Sequence, residues 1–146
     1  MVPDSFVLSA QLLQNSMWKE SRGRCDWVIV TAIDEHLYHR RVGDYLASCA
    51  GSGITAVPAL GFEMVATDFP APDEHLASSR TIGAPSAYPS KLSIFNPSAI
   101  DETNYQPGRH LAAPSGNVVY PPADTVLNLR GYGTIVTVPA SGYCAR

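Results

Sequence analysis

The second half of the chain is poor in charge. From Gly83 to Arg146 only seven side chains carry a formal charge. These are Lys91, Asp101, Glu102, Arg109, Asp124, Arg130 and Arg146. A domain that stands alone in water generally has about a quarter to a third of its surface residues charged. We therefore expect other protein chains to cover much of this half.

Long apolar runs and a strong net charge are also missing. No segment approaches the ~20 consecutive apolar residues that span a bilayer. Residues Met1 to Ala10 lack the basic and long apolar regions of a secretory signal. The net charge of −3 gives no overall attraction to nucleic acid or anionic lipid. We expect no membrane partner, no direct nucleic-acid contact, and a cytoplasmic location unless the chain is part of a virion.

Cysteine is scarce. The three residues Cys25, Cys49 and Cys144 are an odd number, and their spacing matches no zinc-binding pattern. We expect free, mostly buried thiols in a reducing compartment. The sequence leaves open whether any two of them form a disulfide.

Known catalytic and nucleotide-binding motifs are absent from the sequence. It contains no Walker loop and no Gly-x-Gly-x-x-Gly after a predicted strand. Ser52 lies between two glycines but not in the Gly-x-Ser-x-Gly pattern of a nucleophile elbow. A small hydrolase would have to draw its nucleophile and base from Cys25, Cys49, Ser52, His36, His39, His75 and His110. We expect no catalysis from His36, His39 or the cysteines.

The densest group of titratable side chains lies between Asp34 and His39. On a helix, His36 and His39 would lie on one face, as an imidazole pair at a metal requires. No third ligand follows from the spacing, and acidic residues also occur in solvated first helical turns, next to the positive end of the macrodipole. We therefore predict no metal and no other cofactor.

The N-terminal part predicts an amphipathic helix. Asp4 or Ser5 can cap it, and it extends to about Ser21. One face carries the apolar residues Phe6, Ala10, Leu13 and Met17. We expect this face to pack on the protein's own sheet, with a neighbouring subunit as the alternative.

A strand–helix–strand unit follows. The run Trp27–Ile33 is rich in β-branched residues and predicts a buried strand. Asp34 can cap a second helix, whose apolar side is Leu37, Val42, Tyr45, Leu46 and Cys49. Residues 54–66 are then predicted to be extended, and Pro58 restricts them to a sheet edge or a bend.

Proline dominates the next segment. Nine of the twelve prolines lie between Pro70 and Pro122. Each removes a backbone donor and fixes φ, so this part cannot form one continuous sheet. For residues 71–122 we predict an extended proline-rich arm, or long ordered loops linked by short strands, that reaches onto neighbouring subunits.

The end of the chain predicts a β-hairpin across Gly131, with strands 126–129 and 134–138. Helices followed by a run of strands indicate an α+β fold. A length of 146 residues, with 45% of them hydrophobic, suits a single domain spanning 1–146.

Three function classes remain open on the sequence. The first is a structural subunit of a larger assembly, such as a phage capsid, neck or tail protein, whose partners are other copies of itself and other structural subunits. The others are a small hydrolase and a peptide- or glycan-binding module. Proline-rich segments with preset φ angles reduce the ordering cost of binding, which favours the first class and a protein that is not an enzyme. Its predicted assembly contacts are Tyr88, Phe95, Tyr105, Tyr120 and Tyr132.

Overall fold

The computed structural model describes residues 6–75, 79–86 and 91–122, and the backbone of residues 136 and 137. Its elements are helices α1 (Phe6–Ser16) and α2 (Val42–Gly51), 3-10 turns at Met17–Ser21 and Pro107–Arg109, and strands β1 (Val28–Ile29), β2 (Ala56–Pro58), β3 (Phe62–Met64), β4 (Ile82–Pro85), β5 (Leu92–Phe95), β6 (Ile100–Glu102), β7 (Ser115–Gly116) and β8 (Val136–Thr137). The helices and the antiparallel strands confirm the predicted α+β class.

The central sheet has the strand order β1-β5-β2, with both neighbours antiparallel to β5. Phe95 of β5 lies opposite Val28 on one side and Ala56 on the other. The register shifts between Val57 and Pro58, at the end of a strand that pairs with β5 alone in this sheet. Pro58 therefore lies in an edge strand, as the sequence predicts.

Two smaller sheets complete the strand pairing that the structure describes. One has the order β3-β4-β8, and the other pairs β6 with β7. Gly83 in β4 lies so close to β3 that an added Cβ would come within 3.3 Å of the Phe62 Cβ. The predicted hairpin across Gly131 lies outside the described residues, except for the backbone of β8, which pairs with β4.

The hydrophobic core lies on both faces of β5, because successive strand residues point to opposite faces of a sheet. Phe95 packs with Trp18 and Tyr105 on one face. Ile94 packs with Leu46 of α2 on the other. Every residue of β5 is buried, so the chain is built around this strand.

The predicted central strand and second helix are both shorter in the structure. The strand covers only Val28–Ile29, since the chain turns at Ala32, whose carbonyl accepts the Glu35 N–H. Asp34 does not cap a helix, and α2 begins at Val42 without a side-chain cap. The Glu35 carboxylate instead accepts the Ala32 N–H, which stabilises a turn where the sequence predicted the first helical turn.

The proline-rich segment 71–122 does not form an arm throughout. It contains β4 to β7, and β5 is the middle strand of the central sheet. In its described residues the segment consists of short strands joined by loops. The arm interpretation fails for residues 92–109, because their side chains supply much of the protein's own core.

This arrangement predicts that Phe95→Ala lowers the free energy of unfolding by about 3–5 kcal/mol, because it leaves a cavity beneath Trp18. The matched control is Phe69→Ala, where the side chain is 95% exposed and the change should stay within about 0.5 kcal/mol. Urea unfolding followed by tryptophan fluorescence measures both. Equal effects of the two substitutions would contradict the central position of β5.

Candidate functional site

Helix α1 is attached to the rest of the chain by polar side chains. The Gln11 Nε2 and Asn15 Nδ2 groups donate to the Tyr105 carbonyl at 2.8 and 3.0 Å. The Asn15 Oδ1 accepts from the Tyr105 N–H and the Thr103 hydroxyl, both at 2.8 Å. Gln11 and Asn15 are four residues apart, so both amides lie on one helix face. That face is the one that contacts the chain.

The opposite side of α1 is apolar and faces outward. We define the α1 face as the exposed residues Phe6, Ser9, Leu12, Leu13, Ser16 and Met17. Phe6 is 88% exposed, and Leu12, Leu13 and Met17 are each more than half exposed. No residue of α1 is buried. Our expectation that the apolar face packs on the protein's own sheet is therefore wrong.

The physical reason lies in the residues just after α1. Trp18 already fills the core position over β5, with its ring edge-on to Phe95 at 5.0 Å. Arg22 then donates from Nε to the Pro97 carbonyl at 3.1 Å and from Nη2 to the Ile100 carbonyl at 2.9 Å. Trp18 and Arg22 anchor the C-terminal end of α1. In this position the Asn15 amide contacts the Tyr105 backbone, and the apolar residues point away from Tyr105.

A further apolar side chain is exposed on the loop that contacts α1. Helix α1 contacts the 3-10 turn Pro107–Arg109. Leu111, which follows this turn closely, is an exposed large hydrophobic residue. Its carbonyl accepts the Gln106 N–H at 3.0 Å, next to the Tyr105 backbone that holds α1. The loop on which α1 rests thus carries a further apolar side chain at the surface.

A buried ion cluster connects three distant parts of the chain. The Glu35 carboxylate accepts from the Lys91 ammonium and from the Arg109 guanidinium. Lys91 also donates to the Gly108 carbonyl at 2.9 Å, and Arg109 to the Val30 carbonyl. The Arg109 side chain is 0% exposed, and its backbone has φ 58°. A non-glycine residue in this left-handed region costs about 1–3 kcal/mol, which the ion pair and hydrogen bonds of Arg109 help to offset.

The environment of Glu35 keeps it ionised. Partial burial raises the pKa of this carboxyl, but the Lys91 hydrogen bond, the Ala32 N–H and the charges of Arg109 and Lys91 outweigh burial. The net effect is a pKa below the ordinary value of 4.5. Nearby, burial raises the pKa of Tyr105 to about 12, so its hydroxyl stays neutral and donates to the Leu92 carbonyl at 2.8 Å. The cluster therefore keeps the Glu35 carboxylate paired with the Lys91 and Arg109 cations.

The side chains considered for catalysis or metal binding have different environments in the described residues. Burial raises the pKa of the Cys49 thiol, which disfavours the reactive thiolate, whereas Cys25 is exposed. The His39 Nδ1 accepts the Arg41 N–H at 3.1 Å. Within 6–75, 79–86 and 91–122, no group of three or more His, Cys, Asp or Glu residues could hold a metal ion.

The five predicted assembly contacts fall into three groups. Phe95 and Tyr105 are fully buried, so their side chains serve the core of this chain in the folded state. Tyr120 is partly exposed. Tyr88 and Tyr132 lie outside the described residues.

Sequence reasoning missed both the docking of α1 and the ion cluster. A usable signal for the first was the pair of amides, Gln11 and Asn15, at helical spacing on the side away from Leu13. A usable signal for the ion cluster was the isolation of Lys91 and Arg109 in a charge-poor region. A single charge within an apolar segment is rarely buried unless it is paired.

We expect Glu35→Gln to lower the free energy of unfolding by about 3–5 kcal/mol, because it leaves two buried cations without their carboxylate. The control is Asp44→Asn, which removes the exposed pair with Arg41 and should cost less than about 1 kcal/mol. Chemical denaturation at neutral pH measures both. A loss for Glu35→Gln no larger than the control would contradict a stabilising role for the cluster.

The lowered pKa of Glu35 also predicts a pH dependence of stability. A carboxyl with a depressed pKa in the folded state contributes stability above its unfolded pKa and loses it as the pH falls through the folded value. The stability difference between the wild type and Glu35→Gln should therefore be constant near neutral pH and shrink below about pH 4.5. Unfolding curves from about pH 7 to about pH 3 measure this difference. A stability difference that grows on acidification would contradict a lowered pKa of Glu35 in the folded state.

Comparison of the chain with protein-family models, with curated proteins and with solved structures finds no match. In the part of the chain that the structure describes, no helix has both the length and the apolar character needed to cross a membrane. The feature that points most directly to a function is therefore the exposed α1 face.

Proposed function

We propose that this chain is a structural subunit of a larger protein assembly, specifically a small virion protein of a phage capsid, neck or tail. Its partners would be other copies of itself and other structural subunits, and it would reach the virion by assembly in the host cytoplasm. The observation that carries the proposal is the α1 face, which the chain fixes in an outward orientation. On this proposal the protein is not an enzyme, needs no cofactor, and contacts neither membrane nor nucleic acid directly.

The energetics of the α1 face support a protein partner. Fully burying a large apolar side chain contributes roughly 1.5–3 kcal/mol relative to leaving it exposed. Phe6, Leu12, Leu13 and Met17 are each more than half exposed, so much of this free energy is still available. Contiguous exposed apolar residues on a folded protein commonly mark interaction sites.

The rigidity of α1 favours assembly as well. Binding costs less when the binding element is already ordered. Asn15, Trp18 and Arg22 fix the helix through hydrogen bonds and core packing, with the apolar side outward. A partner therefore meets a preformed surface.

The alternatives have weaker support. A hydrolase that used Cys49 would need a thiolate, and burial raises the pKa of that thiol. A peptide- or glycan-binding module would display tyrosines on loops, whereas Tyr105 is in the core. The virion assignment rests further on the low charge of residues 83–146, two of whose cations, Lys91 and Arg109, are themselves buried.

We expect the isolated chain to self-associate reversibly, and Leu12→Gln combined with Leu13→Gln to weaken this association about 10- to 100-fold. Two buried leucines at about 1 kcal/mol each account for that range. Glutamine is a good helix former, so α1 should remain intact. The control is Phe69→Gln, a more exposed apolar site outside α1, which should change nothing.

Analytical ultracentrifugation over a concentration series measures the association, and circular dichroism verifies the helix content. A chain that stays monomeric up to about 1 mM, which corresponds to less than about 4 kcal/mol of association free energy, would count against a structural subunit that contacts its own copies. Association that is unchanged in the double variant would show that the contact lies outside the α1 face.

A further inference from the structure

We propose that α1 docks and releases as one unit, and that the ion cluster around Glu35 controls the balance between the two states. In the docked state, which the structure shows, the α1 amides are bonded to Tyr105. In the released state α1 loses these bonds and its helical structure together, while the rest of the chain stays folded. This inference concerns the single chain and does not depend on the proposed function.

The attachment of α1 is polar and concentrated at one place. Every residue of α1 is at least partly exposed. Of the four described hydrogen bonds that join Gln11 and Asn15 to the segment Thr103–Tyr105, three use the Asn15 amide. An isolated helix of 11 residues is marginal in water, so α1 depends on these bonds for its structure. Docking and helix formation are therefore one event.

The C-terminal boundary of α1 supplies a hinge. At Ser16 the α-helix changes to the 3-10 turn Met17–Ser21, and a change of helix type often marks a hinge. The Ser16 φ is −117°, well away from the usual helical value of about −63°. Just beyond this point, Trp18 is buried and Arg22 is bonded to backbone carbonyls. Release of α1 therefore leaves the chain after the hinge in place.

A loop joins the docking point of α1 to the ion cluster. Two hydrogen bonds close its base, from the Asn104 Nδ2 to the Ala113 carbonyl at 2.8 Å and from the Gln106 N–H to the Leu111 carbonyl at 3.0 Å. Tyr105, which receives the α1 amides, lies between the two donors. A change in the shape of this loop therefore moves the backbone groups to which α1 is bonded.

The ion cluster fixes the far end of the loop. The Lys91 ammonium donates to the Gly108 carbonyl at 2.9 Å, and the Arg109 guanidinium donates to the Glu35 carboxylate. Arg109 has φ 58°, and its buried Nε has no hydrogen-bond partner among the described residues. Both features disfavour this conformation, so it depends on the ion pair. Without the Glu35 carboxylate, Arg109 leaves the left-handed region and shifts the turn that contacts α1.

Amide hydrogen exchange, followed by NMR on the whole chain, tests the first direction of this coupling. In the wild type the α1 amides should exchange at least about tenfold faster than those of β5, because release does not require global unfolding. Glu35→Gln should raise α1 exchange at least about fivefold, as coupled sites commonly do. The control is Leu46→Ala in the core on the other face of β5, which also lowers global stability. It should leave α1 exchange within about twofold, because it shares no partner with the loop.

Asn15→Ala tests the reverse direction, since coupling between two sites is reciprocal. It changes a partly exposed residue outside the core, so the variant folds. The loss of three hydrogen bonds should raise α1 exchange about 10- to 100-fold. Exchange of the Arg109 N–H, which donates to the Gln106 carbonyl at 2.8 Å, should rise at least about fivefold. The control Ser9→Ala, at an exposed site on the same helix, should change both rates less than about twofold.

Three results would overturn the inference. If the α1 amides exchange as slowly as those of β5 in the wild type, α1 does not release by itself. Equal effects of Glu35→Gln and Leu46→Ala on α1 would show that the ion cluster has no specific control over docking. An Arg109 amide that is unaffected by Asn15→Ala would exclude the coupling, even if Glu35→Gln fails to fold. None of these results bears on self-association, so they are distinguishable from a failure of the proposed function.

Discussion

The two amides of Gln11 and Asn15 decide which side of the N-terminal helix meets the core. They bind both the carbonyl and the N–H of Tyr105, two polar groups that would otherwise be left unpaired at a buried residue. An unpaired buried polar group costs about 1–3 kcal/mol, so these bonds favour the orientation in which the two amides face Tyr105. The outward apolar face of α1 is a consequence of this choice.

The charge-poor second half has two explanations that act together. Part of it, including Phe95 and Tyr105, is the core of the chain itself and needs no charge. Two of its cations, Lys91 and Arg109, are buried and neutralise Glu35, so they do nothing for the surface. Fewer charges than the sequence suggests are thus left for the exterior of this half.

The proposed subunit would present α1 on a rigid framework. The ion cluster joins the loop after β1 to β5 and to the turn before Leu111, and that turn lies against α1. The helix is therefore presented by a braced framework. A short, preformed apolar face loses little entropy on binding and buries little area, a combination suited to contacts that become persistent only when many act at once.

The sequence alone determined the α+β class, the first helix and the edge position of Pro58, because each depends on local periodicity or on the missing N–H of one residue. It could not give the length of the strand at Val28 or the start of α2, since the Glu35 carboxylate, bound to Lys91 and Arg109 from far along the chain, holds a turn there. The outward orientation of α1 was likewise decided only by tertiary structure. Periodicity shows that a helix has an apolar face, whereas the hydrogen bonds to Tyr105, 90 residues from Asn15, decide where that face points.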